Sequence, residues 1–315
     1  MTQYILRRIV LLFPVVIIVG ILVFSLMYLT PGDPAGLILG DDATPEQIAE
    51  LRSELGLDEP FYVQFFLWFS GALRLDFGDS LFMGIPVTQA LLERAEPTAL
   101  LTLYSLTIAI VIGMPLGVIS AIKRNTVIDR LAMMIAMSGI AIPNFVLGIA
   151  MILIFGVALG WLSSGGYTNI GDDPVDHFKR MIMPSFSLGF SSAALLARLV
   201  RSSMLDVLGE DYVRTARAKG VAFRNVVTRH ALRNALIPAV TVIGYSVGNL
   251  LGGAVVTETV FTLPGMGRLV VQSVLRRDFP VIQGAVMLIA VFYVMANLLV
   301  DILYVYIDPR IRYGN

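Results

Sequence analysis

Six runs of twenty or more residues carry almost no charge, the first reading IVLLFPVVIIVGILVFSLMYL over residues 9–29. Lipid offers nothing to hydrogen-bond an exposed backbone, so an apolar run of about 20 residues crosses a bilayer as a helix. The other runs cover residues 98–122, 131–159, 181–200, 235–256 and 281–304. The expected fold class is therefore an all-α integral membrane protein with six transmembrane helices. Arg7 and Arg8 give the first run the look of a signal peptide, but it is too long and lacks a small-x-small cleavage site, so it reads as a retained anchor. Only 15% of the residues are charged, against about 25% in a soluble domain. Net charge is zero, which provides no field for nucleic acid. With no cysteine there is no disulfide, thiolate metal site or cysteine nucleophile.

Lysine and arginine beside a span are retained on the cytoplasmic side. With the N-terminus inside, 15 of the 23 basic residues fall on inner segments and 8 on outer ones. Both termini and residues 201–234 are thus expected in the cytoplasm. The linear organisation reads as an anchor helix over 1–30, an extracytoplasmic segment over 31–97 and a five-helix core over 98–315.

The segment 31–97 has helix signals of its own. Thr44, Pro45 and Gln47 are placed as an N-cap, first-turn proline and capping-box partner, and Gly56 stands where a glycine stops a helix. FYVQFFLWFSGAL (61–73) is aromatic and too short to span, which puts it flat on the outer membrane surface or against the bundle.

The fourth run is the most polar, with Pro184, Gly189 and four serines including Ser185, Ser187 and Ser191. Such a helix faces protein or a wet cavity and not lipid. In the fifth run Gly244, Gly248 and Gly252 share a stripe, with Gly253 beside it, suited to close packing or to a moving interface.

Between these two runs lies EDYVRTARAKGVAFRNVVTRHALRNALIPAV (210–240). Tyr212, Thr215, Ala216 and Lys219 recur at helical spacing, Gly220 sits as a terminator, and Phe223, Val226, Val227 and His230 repeat the spacing. Basic residues alone enforce topology and attract anionic lipid. They do not explain the alanines, which suit a helix laid in a groove of a soluble partner.

This stretch resembles the cytoplasmic EAA loop of ABC importer permeases, and DYVRTARAKG...RHALRNALIPAVT is similar to the dipeptide and oligopeptide branch. PGDP (31–34), LGLDEP (55–60), DFGDS (76–80), TETVFTLPGMGRL (257–269), RRDFPVIQG (276–284) and DPRIRY (308–313) agree, so the likeness covers the chain. Arg214 stands where the general motif has Glu, Thr215 where it has its first Ala, and Arg233 replaces a proline.

The resemblance implies a type I ABC importer permease fold, the B-type member of a permease pair. It implies a pore-forming subunit importing di- or oligopeptides, or relatives such as glutathione, haem or nickel chelates, across a bacterial cytoplasmic membrane. Partners would be a homologous permease, two ATP-binding subunits holding ATP and Mg, an extracytoplasmic substrate-binding protein and membrane lipid. Asp211, Tyr212, Arg214, Thr215, Ala216, Arg217, Ala218, Lys219 and Gly220 would form the ATPase-coupling loop. Ser185, Ser187, Ser191 and Asn249 would line the translocation path. Glu258, Pro264, Gly265, Arg268, Arg276 and Arg277 would lie at the external gate or binding-protein contact.

There is no GxxxxGK[ST] phosphate loop, and PGMG (264–267) reads as a tight turn in which glycine tolerates positive φ. No catalytic cluster is present, so the chain is not expected to be an enzyme or to hold a cofactor. His177, beside Asp172, Asp173 and Asp176, reads as a solvated histidine and not a metal ligand, while His230 packs in the coupling region. Asp301 is structural, near Asn297 one turn earlier. An ion-coupled secondary transporter is the alternative, but that class places ionisable residues in mid-span, where these runs have nearly none.

Overall fold

The computed structural model describes residues 2–29, 34–39, 43–54 and 56–307. Among these residues there are helices and no strand, with one isolated bridge between Asp79 and Pro86. Most of PGDP and all of DPRIRY lie outside the described residues. Two compact units emerge, one of residues 96–268 with 293 onward, the other of residues 2–95 with 269–292. They interleave along the chain.

Among the described residues five helices are long and apolar enough to cross a membrane, or six if a bent pair is one span. They are α1 (Thr2–Leu29), α5 (Val87–Ile122), α8 (Pro174–Leu208), α11 (Leu232–Val260) and α13 (Phe279–Ile307). The third apolar run is not one straight span as its composition suggests. It splits into α6 (Val127–Ala141) and α7 (Asn144–Met151), bent by 103°. Pro143 has no N–H and forces the residue before it out of the helical region. Ile142 is accordingly extended, at φ −86° and ψ 120°. Beyond α7 the chain continues as a wide π-helical segment, Ile152–Ala158.

In the first unit α6, α7 and α11 all pack on α8. Of α8's most apolar window 61% is buried, against 17–39% for the other single spans, as its serines and glycine predict. Asp173 caps α8 by accepting from the N–H groups of Val175 and Asp176 at 2.9 and 3.0 Å, with Pro174 in the first turn. Glycines bring α5 onto it. A Cβ on Gly113 or Gly117 would stand 2.6 or 2.5 Å from the carbonyl oxygens of Ala193 and Ala197, and Gly189 meets the carbonyl of Ser105. Of the expected α11 stripe, Gly244 faces Val300, Gly248 faces the Tyr293 ring and Gly253 faces Leu188, whereas Gly252 meets nothing.

The second unit holds α2 (Pro34–Leu39), α3 (Pro45–Glu54) and α4 (Phe61–Ala72). The capping box on α3 forms as expected. Thr44 N–H donates to Gln47 Oε1 at 2.9 Å, Gln47 N–H to Thr44 Oγ1 at 3.3 Å, and Gly56 ends the helix at φ +64°. The aromatic stretch packs by one face, with Phe24 of α1 lying 5.4–5.7 Å from the rings of Phe61, Phe65 and Trp68. Tyr62, Phe66 and Leu67 keep the other face exposed. Two blocks far apart in sequence also meet here: Ser80 Oγ donates to the Asp278 carboxylate at 2.5 Å and Leu81 N–H does so at 3.3 Å.

Candidate functional site

After α8 the chain makes a short helix, α9 (Asp211–Ala218), a glycine turn, and α10 (Phe223–Asn225), which becomes a π-helical segment, Val226–Ala231, before α11. Gly220 adopts φ +76°, its N–H donating to the Arg217 carbonyl at 3.0 Å while Val221 N–H reaches Ala216 at 3.2 Å. This left-handed terminator is the role its sequence position assigned to it.

The buried face of α9 differs from the predicted one. Val213 and Ala216 are buried with Val226, against Val207, Leu208 and Val221, while Tyr212, Thr215 and Lys219 are exposed. Val213 is more apolar than any of the three it displaces, and with Ala216 it makes an i, i+3 pair that closes on the neighbouring turn. Exposed beside them are Asp211, Arg214, Arg217 and Ala218. Arg214 lies 3.4 Å from Asp211 and donates to the Gly209 carbonyl at 3.0 Å. The Arg217 guanidinium sits 5.3 Å over the Phe223 ring, bracing the glycine turn.

Tyr212 ties α9 to α11. Asn234 Nδ2 donates to the Tyr212 hydroxyl at 2.8 Å, and that hydroxyl reaches the His230 carbonyl at 3.4 Å. His230 is half-buried, so it packs in this region as expected.

A buried ion pair escaped sequence reasoning. Arg201 on α8 grips Asp129 on α6 with two bonds, Nε to Oδ1 at 2.7 Å and Nη2 to Oδ2 at 2.8 Å. The Ser120 hydroxyl and the Asn125 N–H at 2.9 Å also donate to this carboxylate. The partners are 72 residues apart, and nothing in either local sequence marks the pairing.

Between α6, α7, α8 and α11 lies a recess of about 390 Å³ whose polar lining is Asn144, Ser191, Ser192, Arg198 and Asn249. Two of the four residues expected on the translocation path, Ser191 and Asn249, therefore come together. Ser185 and Ser187 do not join them, being buried in packing, where Ser187 donates to the Pro184 carbonyl at 2.9 Å and the Ser185 hydroxyl has no partner among the described residues. Arg198 is one of the 15 basic residues expected on the inner segments.

The residues expected at the external gate divide. Glu258 is fully buried and cannot touch a soluble protein directly. Its carboxylate accepts from Thr98 Oγ1 at 2.6 Å and Arg268 N–H at 2.9 Å, while Thr98 Oγ1 accepts from Met266 N–H at 2.8 Å. Gly265 and Gly267 are absent from the positive-φ residues, which corrects the tight-turn reading. Space is the reason for both: a Cβ on Gly265 would land on the Glu258 carboxylate, and one on Gly267 would stand 2.6 Å from the Val255 backbone. Pro264 is half-buried in the loop and Arg268 is half-buried in the first turn of α12 (Met266–Arg276), whereas Arg276 and Arg277 are exposed in the second unit.

His177 is buried and not solvated. Its Nδ1 lies 2.7 Å from the Thr168 carbonyl and its Nε2 3.1 Å from the Tyr104 hydroxyl, so both ring nitrogens have protein partners. The adjacent carboxylates are spent elsewhere, Asp173 on its cap and Asp176 on Arg180 at 2.6 Å. Nearby, burial first and then the Glu96 carboxylate that accepts its hydrogen bond push the Tyr167 phenol up. No metal-holding cluster occurs among the described residues. Asn297 donates to the Tyr293 carbonyl at 3.0 Å, while the Asp301 side chain lies outside the described residues.

Comparison with known proteins gives this geometry a context. Residues 113–313 match the family described as "Binding-protein-dependent transport system inner membrane component", and residues 1–92 match the family of the N-terminal part of such membrane components. The chain is 47% identical over 313 residues to the glutathione transport system permease protein GsiC of Escherichia coli (strain K12), covering 99% of this chain and 100% of that one. It has the same identity and coverage with GsiC of Salmonella paratyphi A (strain ATCC 9150 / SARB42). Among solved structures, an inward-facing conformation of the MetNI methionine ABC transporter superposes with a TM-score of 0.58 over 70% of this chain and 97% of that one. At 20% identity this is a likeness of fold.

Proposed function

We infer the finer function from one premise: the chain belongs to the family of binding-protein-dependent transport system inner membrane components, the permease subunits of ABC importers. Membership sets aside the ion-coupled alternative and makes the chain a conduit and not an ATPase. The proposed cargo is small peptides, with glutathione, a tripeptide, first among them because relatives 47% identical along their whole length carry that name. The chain would pair with a second, homologous permease, two subunits that bind ATP and Mg, and an extracytoplasmic binding protein. Both termini and residues 201–234 would face the cytoplasm, in keeping with the excess of basic residues on those segments.

The observation that carries the coupling role is the Tyr212–Asn234 bond. It joins an exposed helix, α9, to α11, whose Asn249 lines the recess. A partner that pulls on α9 would move α11 with it, and ATP-driven closure of two ATPases would repack the helices around the path. Ser191 and Asn249 would line that path, and the segment held by Glu258, with Pro264, Gly265 and Arg268, would shape its outer end. Arg276 and Arg277 would offer charge to the binding protein.

Gly220 tests this. A side chain there meets nothing in this chain, so its intrinsic cost is about 1–2 kcal/mol of left-handed strain. Gly220→Asn, which tolerates that conformation, should keep ATP-dependent glutathione uptake by the assembled transporter. Gly220→Trp should lower uptake by about tenfold or more and weaken co-purification of the ATPase. Equal uptake and assembly in both variants would remove α9 from the coupling role.

A further inference from the structure

We propose that Arg198 is a substrate-contacting residue of the translocation path, its guanidinium receiving a carboxylate of the transported peptide. The inference rests on the peptide-import reading above and assigns a residue that reading does not include.

The α8 residues at the recess, Leu188, Ser191, Ser192, Leu195 and Arg198, fall on one helical stripe. From Leu188 to Arg198 the stripe runs about 15 Å at 1.5 Å per residue. An extended tripeptide spans about 10 Å, so it fits along this length. The recess volume, about 390 Å³, lies in the ordinary range for small-molecule sites.

Arg198 stands apart from the other cation on this part of α8. Arg201, three residues on, is held by Asp129 in a bidentate bond. Arg198 is exposed, makes no hydrogen bond or ion pair among the described residues, and no acidic residue lines the recess. An unpaired cation on a spanning helix is costly against hydrocarbon and is retained where it faces water or a partner. The remaining polar lining suits the rest of a peptide. The amides of Asn144 and Asn249 both donate and accept, as a peptide bond requires, and the Ser191 and Ser192 hydroxyls do the same. A guanidinium binds a carboxylate through two parallel N–H···O bonds, which fixes the orientation of the cargo as well as its charge. A lipid phosphate carries similar chemistry, and the experiment separates the two sources.

The complete transporter with its binding protein is reconstituted in vesicles, and glutathione uptake and ATP hydrolysis are measured together. For Arg198→Gln, uptake per ATP should fall by about tenfold or more, the loss expected for one charge-assisted bond. Binding-protein-stimulated hydrolysis should stay within about twofold, because the motor and its contacts are untouched. Arg198→Lys should recover a substantial part of the uptake, since it restores the charge without the fork. Unchanged uptake in Arg198→Gln overturns the proposal, and so does a parallel fall in hydrolysis, which would make the residue structural. A deficit that vanishes in vesicles of pure phosphatidylcholine overturns it in favour of anionic lipid. Failure of the wild-type complex to import glutathione or other small peptides overturns the peptide reading and this assignment together. Wild-type import with an indifferent Arg198→Gln overturns this assignment alone.

Discussion

An Arg201→Ala variant is expected to lose about 3–5 kcal/mol of stability, the usual cost of removing one partner from a buried ion pair. The asymmetry of the pair sets the order of the variants. Asp129 is almost fully buried, with 5% of its side chain exposed, whereas Arg201 keeps 25%. Taking away arginine strands a carboxylate that only the Ser120 hydroxyl and the Asn125 N–H still serve. Asp129→Asn leaves a guanidinium that can turn toward water, and should lose about 1–3 kcal/mol. The double variant Asp129→Ala with Arg201→Ala should be milder than the sum of the singles, because neither charge is left alone. Thermal unfolding of the purified complex, followed by fluorescence, ranks the variants. Equal losses for Arg201→Ala and Asp129→Asn would mean that the pair is solvated and does not hold α6 to α8.

Removal of the Glu258 carboxylate should be nearly as damaging. Glu258→Ala takes this acceptor from the Thr98 hydroxyl and from the Arg268 N–H; a hydrogen bond lost costs about 0.5–1.5 kcal/mol, and a donor left unsatisfied about 1–3 kcal/mol. The total is about 2–4 kcal/mol, and the segment over 261–268 should become sensitive to protease. Gly265→Ala should disturb the same spot from the other side, because its new methyl would occupy the place of the carboxylate. The two changes should not add: Gly265→Ala should cost less in a Glu258→Ala background, where the space has been vacated. If the penalties simply add in half-unfolding temperature, the carboxylate does not occupy the position assigned to it.

The sequence was most legible where a single residue type decides a local geometry. The Thr44–Gln47 box, the stop at Gly56 and the left-handed Gly220 all follow from the chemistry of one or two side chains. The serines of α8 marked the most enclosed span for a similar reason. The bend at Pro143 was signalled by the proline and by a run of 29 residues, longer than one crossing needs, but composition alone smoothed over it. The buried face of α9 was misplaced because a helix of 8 residues shows too few turns for periodicity to choose between neighbouring stripes. His177 was read from its acidic neighbours in sequence, whereas the Tyr104 hydroxyl that encloses it comes from another helix. The Asp129–Arg201 pair and the Glu258 clamp join residues 72 and 160 apart, and no spacing rule reaches so far. The π-helical segment before α11 has no sequence mark we recognise.

The glycines of α5 and α11 differ in what they lie against, and this has a mechanical consequence. Gly113 and Gly117 on α5, with Gly189 on α8, have backbone carbonyl oxygens as their nearest neighbours across the α5–α8 seam, and no rotamer change moves those. Gly244 and Gly248 instead lie against side chains, Val300 and the Tyr293 ring, which can swing aside. The α5–α8 pair should therefore behave as a stiff chassis, and the slip that lets the protein change shape belongs on the compliant flank of α11.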